Sequence, residues 1–243
     1  MAGFIDVIGS RISNIQQYLE RSSLNIANIS TPGYKRLMAY EGVVTGRNGD
    51  ASAVSSSKTL ALGTASTGSS RSDFNQSEFE KTGNSLDLAL SGEGFLLFRA
   101  GDGYMYSRGG QLSRSEDGTL VNAQGFVLQS TDGEDIALDR EDVEIRGDGT
   151  ILDDGLPVAR IGIFRPDPAG MTNVSGSFFE ASAAAAIEPA EGTMLRQGMY
   201  ERSNVSLGDE MASIMLLMRQ AESQARVAQI WDQLSGKAIN AFS

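Results

Sequence analysis

Residues 3–29 read GFIDVIGSRISNIQQYLERSSLNIANI, and residues 207–231 read LGDEMASIMLLMRQAESQARVAQIW. In both stretches apolar residues recur at alternating steps of three and four, which places them on one narrow stripe of a helix. The N-terminal stripe comprises Ile5, Ile8, Ile12, Ile15, Leu19, Ile26 and Ile29, with Ser22 at the one polar step. The C-terminal stripe comprises Leu207, Met211, Ile214, Met218, Ala221 and, after a change of register near Ala228, Trp231. Each stripe needs a partner helix, either the other stripe or a neighbouring copy, so we predict that these residues form an assembly interface.

The two stripes define two long helices. The first is predicted over residues 3–28 and ends before Pro32, because proline disfavours helical geometry in the residue before it. The second is predicted over residues 206–239, with Asp209 and Glu210 in the first turn, where the helix dipole favours negative charge. We therefore expect an α+β fold in which long N- and C-terminal helices pair as a coiled-coil-like inner domain around a central antiparallel β domain.

The segments between the helices divide into a connector and a β domain. Residues 37–75 are rich in Gly, Ser and Thr and are predicted to be an extended connector. Residues 76–199 contain short apolar runs separated by Asp-Gly pairs at 102–103, 117–118, 132–133 and 148–149, and an Asp-Gly pair between apolar runs favours a hairpin turn. The predicted domains are thus 1–36 with 200–243 (the terminal helices), 37–75 (the connector) and 76–199 (the β domain).

Composition excludes several classes of function. The 243-residue chain has a net charge of −11 and contains neither cysteine nor histidine. Its acidity argues against nucleic-acid binding. Without cysteine the chain has no thiolate metal ligand, and without histidine it lacks the commonest general base. The sequence contains no run of about 20 apolar residues, the length that a membrane span needs, and its N-terminus does not resemble a cleaved secretory signal. We expect no catalytic site, no cofactor, no metal and no small-molecule substrate.

Two alternatives from other classes fit parts of this pattern. Paired carboxylates such as Asp153-Asp154 would suit a carboxylate-based hydrolase. A secreted binding module with an oligomerising helical stalk would share the helical stripes and the β domain.

Three segments resemble the bacterial flagellar rod and hook proteins. They read NIANISTPGYKR at 25–36, TGNSLDLALSGEGF at 82–95 and LRQGMYERSNV at 195–205, and the stretches 106–110 and 117–126 continue the second. The motif positions are Asn25, Asn28, Thr31, Pro32, Gly33, Tyr34, Gly83, Asn84, Asp87, Gly92, Gly94, Phe95, Gln197, Gly198, Ser203, Asn204 and Val205.

The resemblance implies a structural subunit of the flagellar basal-body rod, which spans the periplasm. Such subunits polymerise helically through their terminal helices into a torque-transmitting shaft around a channel, with the β domain outside. The implied partners are the chain itself, other rod proteins and, during secretion, the flagellar type III export apparatus. The chain's size and single modest β domain favour a rod protein over a hook protein. Its length, its insert after the first helix and residues 232–234 resemble the proximal rod protein, with a distal rod or hook-type axial protein as the alternative.

Overall fold

The computed structural model describes residues 2–40, 69–182, 187–190 and 192–241. The chain divides into two compact units, and most of the predicted connector lies outside the described residues. The first, here called the terminal unit, contains Met1–Asn25, Leu37–Arg71 and Leu207–Ser243. The second, here called the β unit, contains Ile26–Arg36 and Ser72–Ser206.

The terminal unit contains both long helices that the sequence predicts. Helix α1 spans Ala2–Ala27 and helix α2 spans Leu207–Ala241, each within two residues of the predicted bounds. Asp209 and Glu210 lie in the first turn of α2. Strands β1 (Leu37–Tyr40) and β2 (Ser69–Ser72), at the two ends of the predicted connector, pair as a two-stranded sheet. Among the described helices, neither is both long and apolar enough to cross a membrane.

The predicted coiled-coil-like pairing of the terminal helices is wrong, because no long coiled-coil pair is evident in the described part of the chain. A coiled coil buries large apolar residues at its contact positions. In α2 the residues turned away from solvent include polar and small side chains, and most of them are only half-buried. They are Glu210, Ser213, Ile214, Leu217, Ala221, Gln224, Ala228 and Trp231. Three large members of the predicted stripe, Leu207, Met211 and Met218, are instead 45–56% exposed.

The β unit is built from short strands with antiparallel pairing. The strands are β3 (Phe79–Lys81), β4 (Leu88–Ser91), β5 (Phe95–Ala100), β6 (Gly103–Ser107), β7 (Leu112–Arg114), β8 (Leu120–Asn122), β9 (Val127–Leu128), β10 (Glu144–Ile145), β11 (Thr150–Asp153) and β12 (Leu156–Arg160). After them come β13 (Ile163–Pro166), a 3-10 turn (Pro168–Gly170), β14 (Met171–Ser175), β15 (Phe178–Ala181), β16 (Ile187–Pro189), β17 (Met194–Gln197) and β18 (Met199–Glu201).

These strands form one large sheet and three small ones. The large sheet has the order β14-β15-β6-β5-β9-β8-β7, and β13 joins it by pairing with both β5 and β16. The small sheets are β10-β11-β12, β17-β4 and β18-β3. In the last two sheets, strands that shortly precede α2 in the sequence pair with strands more than 100 residues earlier. Leu195 pairs with Leu90, for example, and Tyr200 pairs with Glu80.

Three of the four predicted Asp-Gly turns lie where the sequence places them. Gly118, Gly133 and Gly149 have φ of 84°, 79° and 88°, a left-handed conformation that glycine adopts without steric strain. The fourth turn is shifted by one residue. Ala100 pairs with Gly103 across β5 and β6, so Gly101 and Asp102 form the two-residue loop.

The core of the β unit consists of two hydrophobic clusters. The larger is mostly aliphatic and includes Leu88, Leu90, Leu96, Leu120 and Ile151. The smaller is aromatic and contains Phe95 and Phe179, with the ring of Phe74 packed edge-on against both. In residues 86–90 the leucines alternate with Asp87 and Ala89, a pattern that predicts a half-buried strand. In the structure every residue from 86 to 90 is buried, including Asp87. Asp87 tolerates this burial because its carboxylate accepts a hydrogen bond of 3.1 Å from Asn84 Nδ2.

Candidate functional site

The β unit contains a buried ion cluster made of Lys35, Arg108 and Glu201. Glu201 Oε1 accepts from Lys35 Nζ at 2.8 Å and from the Ser77 amide at 2.7 Å, while Oε2 accepts from Arg108 Nε at 2.7 Å. Lys35 Nζ also donates to the carbonyl of Asn75 at 2.7 Å. The three charged side chains are at most 2% exposed. One carboxylate therefore joins segments of the chain that are more than 160 residues apart in sequence.

The remaining donors of Arg108 bind backbone oxygens around the second motif segment. Nη1 donates to the Gly94 carbonyl at 2.9 Å, and Nη2 donates to the carbonyls of Gly92 and Leu90 at 2.9 and 3.2 Å. The guanidinium carbon lies 5.9 Å from the centre of the Phe95 ring. Because a guanidinium presents a fixed fork of donors, Arg108 sets the path of the turn between β4 and β5.

The ion cluster carries two positive charges and one negative charge, and this affects Lys35. Burial lowers the pKa of the Lys35 ammonium below its ordinary value; Glu201 opposes this shift and Arg108 adds to it. The Glu201 carboxylate is thus the one countercharge in the ion cluster for two buried cations.

Gly33 brings the first motif segment close to Arg108. It has φ of 68°, and its amide donates to the Glu201 carbonyl at 2.8 Å. A Cβ at this position would lie 2.2 Å from the Gly109 nitrogen and 2.4 Å from the Arg108 carbonyl carbon. Only glycine fits this position, since both the backbone conformation and the space exclude a side chain.

Asn204 connects the third motif segment to the first. Its Oδ1 accepts from the Arg36 amide at 2.7 Å, and its Nδ2 donates to the Asp73 carbonyl at 2.8 Å. The Asp73 amide in turn donates to the Arg36 carbonyl at 2.8 Å. The side chain of Asn204 therefore binds Arg36 and Asp73, the two residues that border the paired strands β1 and β2.

Gln197 performs a similar role beside β4. Its Nε2 donates to the carbonyls of Val143 and Ser85 at 2.7 and 2.8 Å, and its Oε1 accepts from the Ile145 amide at 3.1 Å. The next residue, Gly198, donates its amide to the Asp87 carbonyl at 2.8 Å and accepts from the Thr82 amide at 2.9 Å. The second and third motif segments are thus joined by backbone and amide hydrogen bonds.

Two further motif positions, Thr31 and Ser203, form local hydrogen bonds. Thr31 Oγ1 donates to Asn28 Oδ1 at 3.2 Å in the turn that follows α1. Ser203 Oγ accepts from the Val205 amide at 3.3 Å before α2 begins. Tyr34 is fully buried.

Asn25, the first motif position, lies in the terminal unit. Its Oδ1 accepts from the Leu37 amide at 2.8 Å and its Nδ2 donates to the Leu37 carbonyl at 3.0 Å. The same Nδ2 donates to Glu210 Oε1 in the first turn of α2 at 3.0 Å. One side-chain amide therefore joins α1, β1 and α2.

The predicted interface residues whose side chains are described range from buried to exposed. Ile15 is buried, whereas Ile12, Leu19, Ile26, Ile29, Ile214, Ala221 and Trp231 are half-buried. Leu207, Met211 and Met218 are exposed together with Met215 and Leu216, which were not among the predicted residues. The side chains of Ile5 and Ile8 lie outside the described part of the chain.

Sequence reasoning missed the role of Lys35, Arg108 and Glu201, although all three lie inside quoted motif segments. Their signal is weak, because a single charged residue in a polar segment is normally solvated. The paired carboxylates weighed for hydrolysis both form ion pairs with the exposed Arg140: its Nη2 lies 3.1 Å from Asp153 Oδ1 and also binds Asp154. Within the described ranges, no group of three or more acidic side chains is placed to hold a metal ion.

The chain is similar to proteins of the bacterial flagellum. Residues 89–152 match the flagellar hook protein FlgE/F/G D1 domain, and residues 196–241 match the C-terminal domain of the flagellar basal body rod FlgEFG proteins. Flagellar basal-body rod protein FlgG of Bacillus subtilis is 28% identical over 255 residues, covering 95% of this chain and 96% of that protein. The FlhP protein of the same organism, a flagellar hook-basal body complex protein, is 24% identical over 252 residues, or 93% of this chain and 94% of that protein.

Flagellar basal-body rod protein FlgF of Caulobacter vibrioides is 30% identical over 235 residues, covering 95% of this chain and 94% of that protein. The region matched to the C-terminal domain includes Gln197, Glu201 and Asn204, whose hydrogen bonds join the motif segments of the β unit. The chain belongs to the flagellar basal-body rod protein family.

Proposed function

We propose that the chain is a structural subunit of the bacterial flagellar basal-body rod. It polymerises helically through surfaces on its terminal helices and so forms part of a torque-transmitting shaft around a channel. The observation that carries this proposal is the exposed apolar surface of α2. We call Met211, Met215 and Met218 the methionine face; these side chains are 50–60% exposed. Contiguous exposed apolar residues mark sites of protein association.

The charge distribution supports association through the helices. Helix α1 contains two acidic and two basic residues, and α2 contains four acidic and three basic residues. Residues 72–206 contain 23 acidic and 10 basic residues, a net charge of −13. Copies of the chain can therefore approach through near-neutral helices while their β units repel one another.

The ion cluster suits a subunit that transmits force. Its carboxylate holds residues 26–36 and 195–205 against the body of the β unit through charge-assisted hydrogen bonds, which are stronger than neutral ones. A load applied to the segments that lead into the two helices then passes directly into the β unit.

The proposed role is structural and not catalytic. The paired carboxylates Asp153 and Asp154 both form ion pairs with Arg140, which suits a structural turn better than acid–base catalysis. Relatives named FlgG and FlgF match similar shares of the chain at similar identity, so the proximal subtype stays a prediction. Self-association, other rod proteins as neighbours, and passage through the type III export apparatus belong to the same proposal.

A charge in the methionine face tests the proposal. We expect Met218→Asp to prevent rod assembly, because a buried and unpaired carboxylate at a subunit contact is strongly unfavourable. The measurement is complementation of a strain that lacks the gene, scored by motility and by rods in purified basal bodies.

Gln220→Asp is the matched control. It introduces the same charge two residues away, about 160° around the helix at about 100° per residue, at an exposed position. Rods formed by the Met218→Asp variant, or equal loss of rods in both variants, would contradict assembly through the methionine face.

A further inference from the structure

Glu210 is a buried carboxylate in the terminal unit, separate from the ion cluster. It is 2% exposed, although it lies in the first turn of a helix whose next residue, Met211, is 50% exposed. Asn25 Nδ2, itself on a residue that is 1% exposed, donates to Glu210 Oε1 at 3.0 Å. Leu37 binds the same amide through both its N–H and its carbonyl. A carboxylate buried at this position requires a donor at a fixed place.

We infer that Asn25 and Glu210 form a register lock, a pair of positioning residues that fixes the rotation of α2 about its own axis. A buried polar pair is satisfied in one register, and a shift of α2 by a single residue would take the Glu210 carboxylate away from the Asn25 Nδ2 donor. Leu37 holds the Asn25 amide on both sides, so the amide cannot turn to follow a displaced carboxylate.

The register lock determines which residues of α2 face outward. At about 100° per residue, Met211, Met215 and Met218 lie about 100°, 140° and 80° around the helix from Glu210. With Glu210 turned inward, all three methionines point to the same outward side, and each is at least 50% exposed. The half-buried residues Leu217, Ala221 and Ala228 lie within about 20° of Glu210 on the same scale.

The assignment of this surface to assembly rests on the proposed function; the register lock itself does not. Its residues are all within one chain, and its effect is the presentation of the methionine face before any neighbour binds. A subunit that held α2 in another rotation would bury part of that face and expose Leu217 and Ala221.

A double-mutant cycle on the full-length monomer tests the register lock. Asn25→Asp places two carboxylates together, and we expect amide hydrogen exchange in residues 211–221 to become at least about tenfold faster. Glu210→Gln keeps an acceptor for Asn25 Nδ2, and exchange should stay within about twofold of the natural chain. In the double variant the new amide at position 210 donates to the new carboxylate at position 25, so exchange should be at least about threefold slower than in Asn25→Asp alone. The hydrogen bond to the Leu37 carbonyl is lost in both variants and does not affect this comparison.

Equal exchange in Asn25→Asp and in the double variant would overturn the register lock, because the two sites would then be uncoupled. Amides of β4 serve as the internal control for folding of the β unit and should not change in any variant. Exchange is measured on monomers, so the result does not depend on whether the chain assembles through the methionine face. The register lock and the proposed function can therefore be contradicted independently.

Discussion

Glu201→Gln is expected to destabilise the β unit by about 3–5 kcal/mol, the usual penalty for removing one partner of a buried ion pair. The substitution preserves shape but leaves Lys35 and Arg108 buried together without the carboxylate that both of them bind. Amide exchange of the buried strands β4 and β5 measures the loss. At about 1.4 kcal/mol per tenfold change, their exchange through global opening should accelerate by about 10² to 10⁴.

The matched control is Glu93→Gln. Glu93 forms an ion pair with Arg165 at 2.7 Å, but the two side chains are 74% and 60% exposed. Surface pairs of this kind contribute little, and exchange of β4 and β5 should change by less than about fivefold. Equal changes in exchange in the two variants would show that the buried ion cluster contributes no more to the stability of the β unit than an exposed ion pair does.

Gly33→Ala is expected to have the second-largest effect on stability, a loss of about 2–5 kcal/mol. The left-handed backbone at φ of 68° contributes about 1–2 kcal/mol to this loss. The clash of the new Cβ with the backbone of Gly109 and Arg108 contributes about 1–3 kcal/mol more. Urea unfolding followed by circular dichroism gives the free energy of unfolding.

Gly198→Ala separates the two contributions. Gly198 has φ of 77°, yet a Cβ there would meet nothing within 4 Å. This variant should therefore lose only the backbone contribution, about 1–2 kcal/mol. Equal losses at Gly33 and Gly198 would show that the close approach to Arg108 does not matter, and that residues 32–33 can move away at little cost.

The helices and turns could be predicted from the sequence because their causes are local. Spacings of three and four residues define α1 and α2, and three of the four Asp-Gly pairs mark turns whose glycines have positive φ. The ion cluster could not be predicted in this way. Lys35 and Glu201 are 166 residues apart, and their pairing depends on how β18 and β3 are brought together. The motif segments contain all three charged residues of the ion cluster, but the motifs do not indicate which charged side chains form ion pairs.

The wrong prediction of a coiled-coil pair has a physical origin in α2. Choosing the most apolar residues at heptad spacing selected Leu207, Met211 and Met218, which are exposed in the structure. The inward side begins at Glu210, a charged residue that apolar periodicity excludes from a buried stripe. Periodicity identifies the helix correctly, but the partner group for a buried polar residue, here Asn25, decides which way the helix faces.

Methionine oxidation tests the central claim, that α2 is exposed in the subunit and covered in the rod. Purified monomer and isolated basal bodies are treated with the same dose of hydrogen peroxide, and sulfoxide is measured at each methionine by mass spectrometry. We expect Met211, Met215 and Met218 to oxidise readily in the monomer and at least about tenfold more slowly in basal bodies, because buried thioethers are inaccessible to the oxidant. Free methionine added to both samples calibrates the dose. Equal oxidation of these three residues in monomer and basal bodies would contradict assembly through the terminal helices.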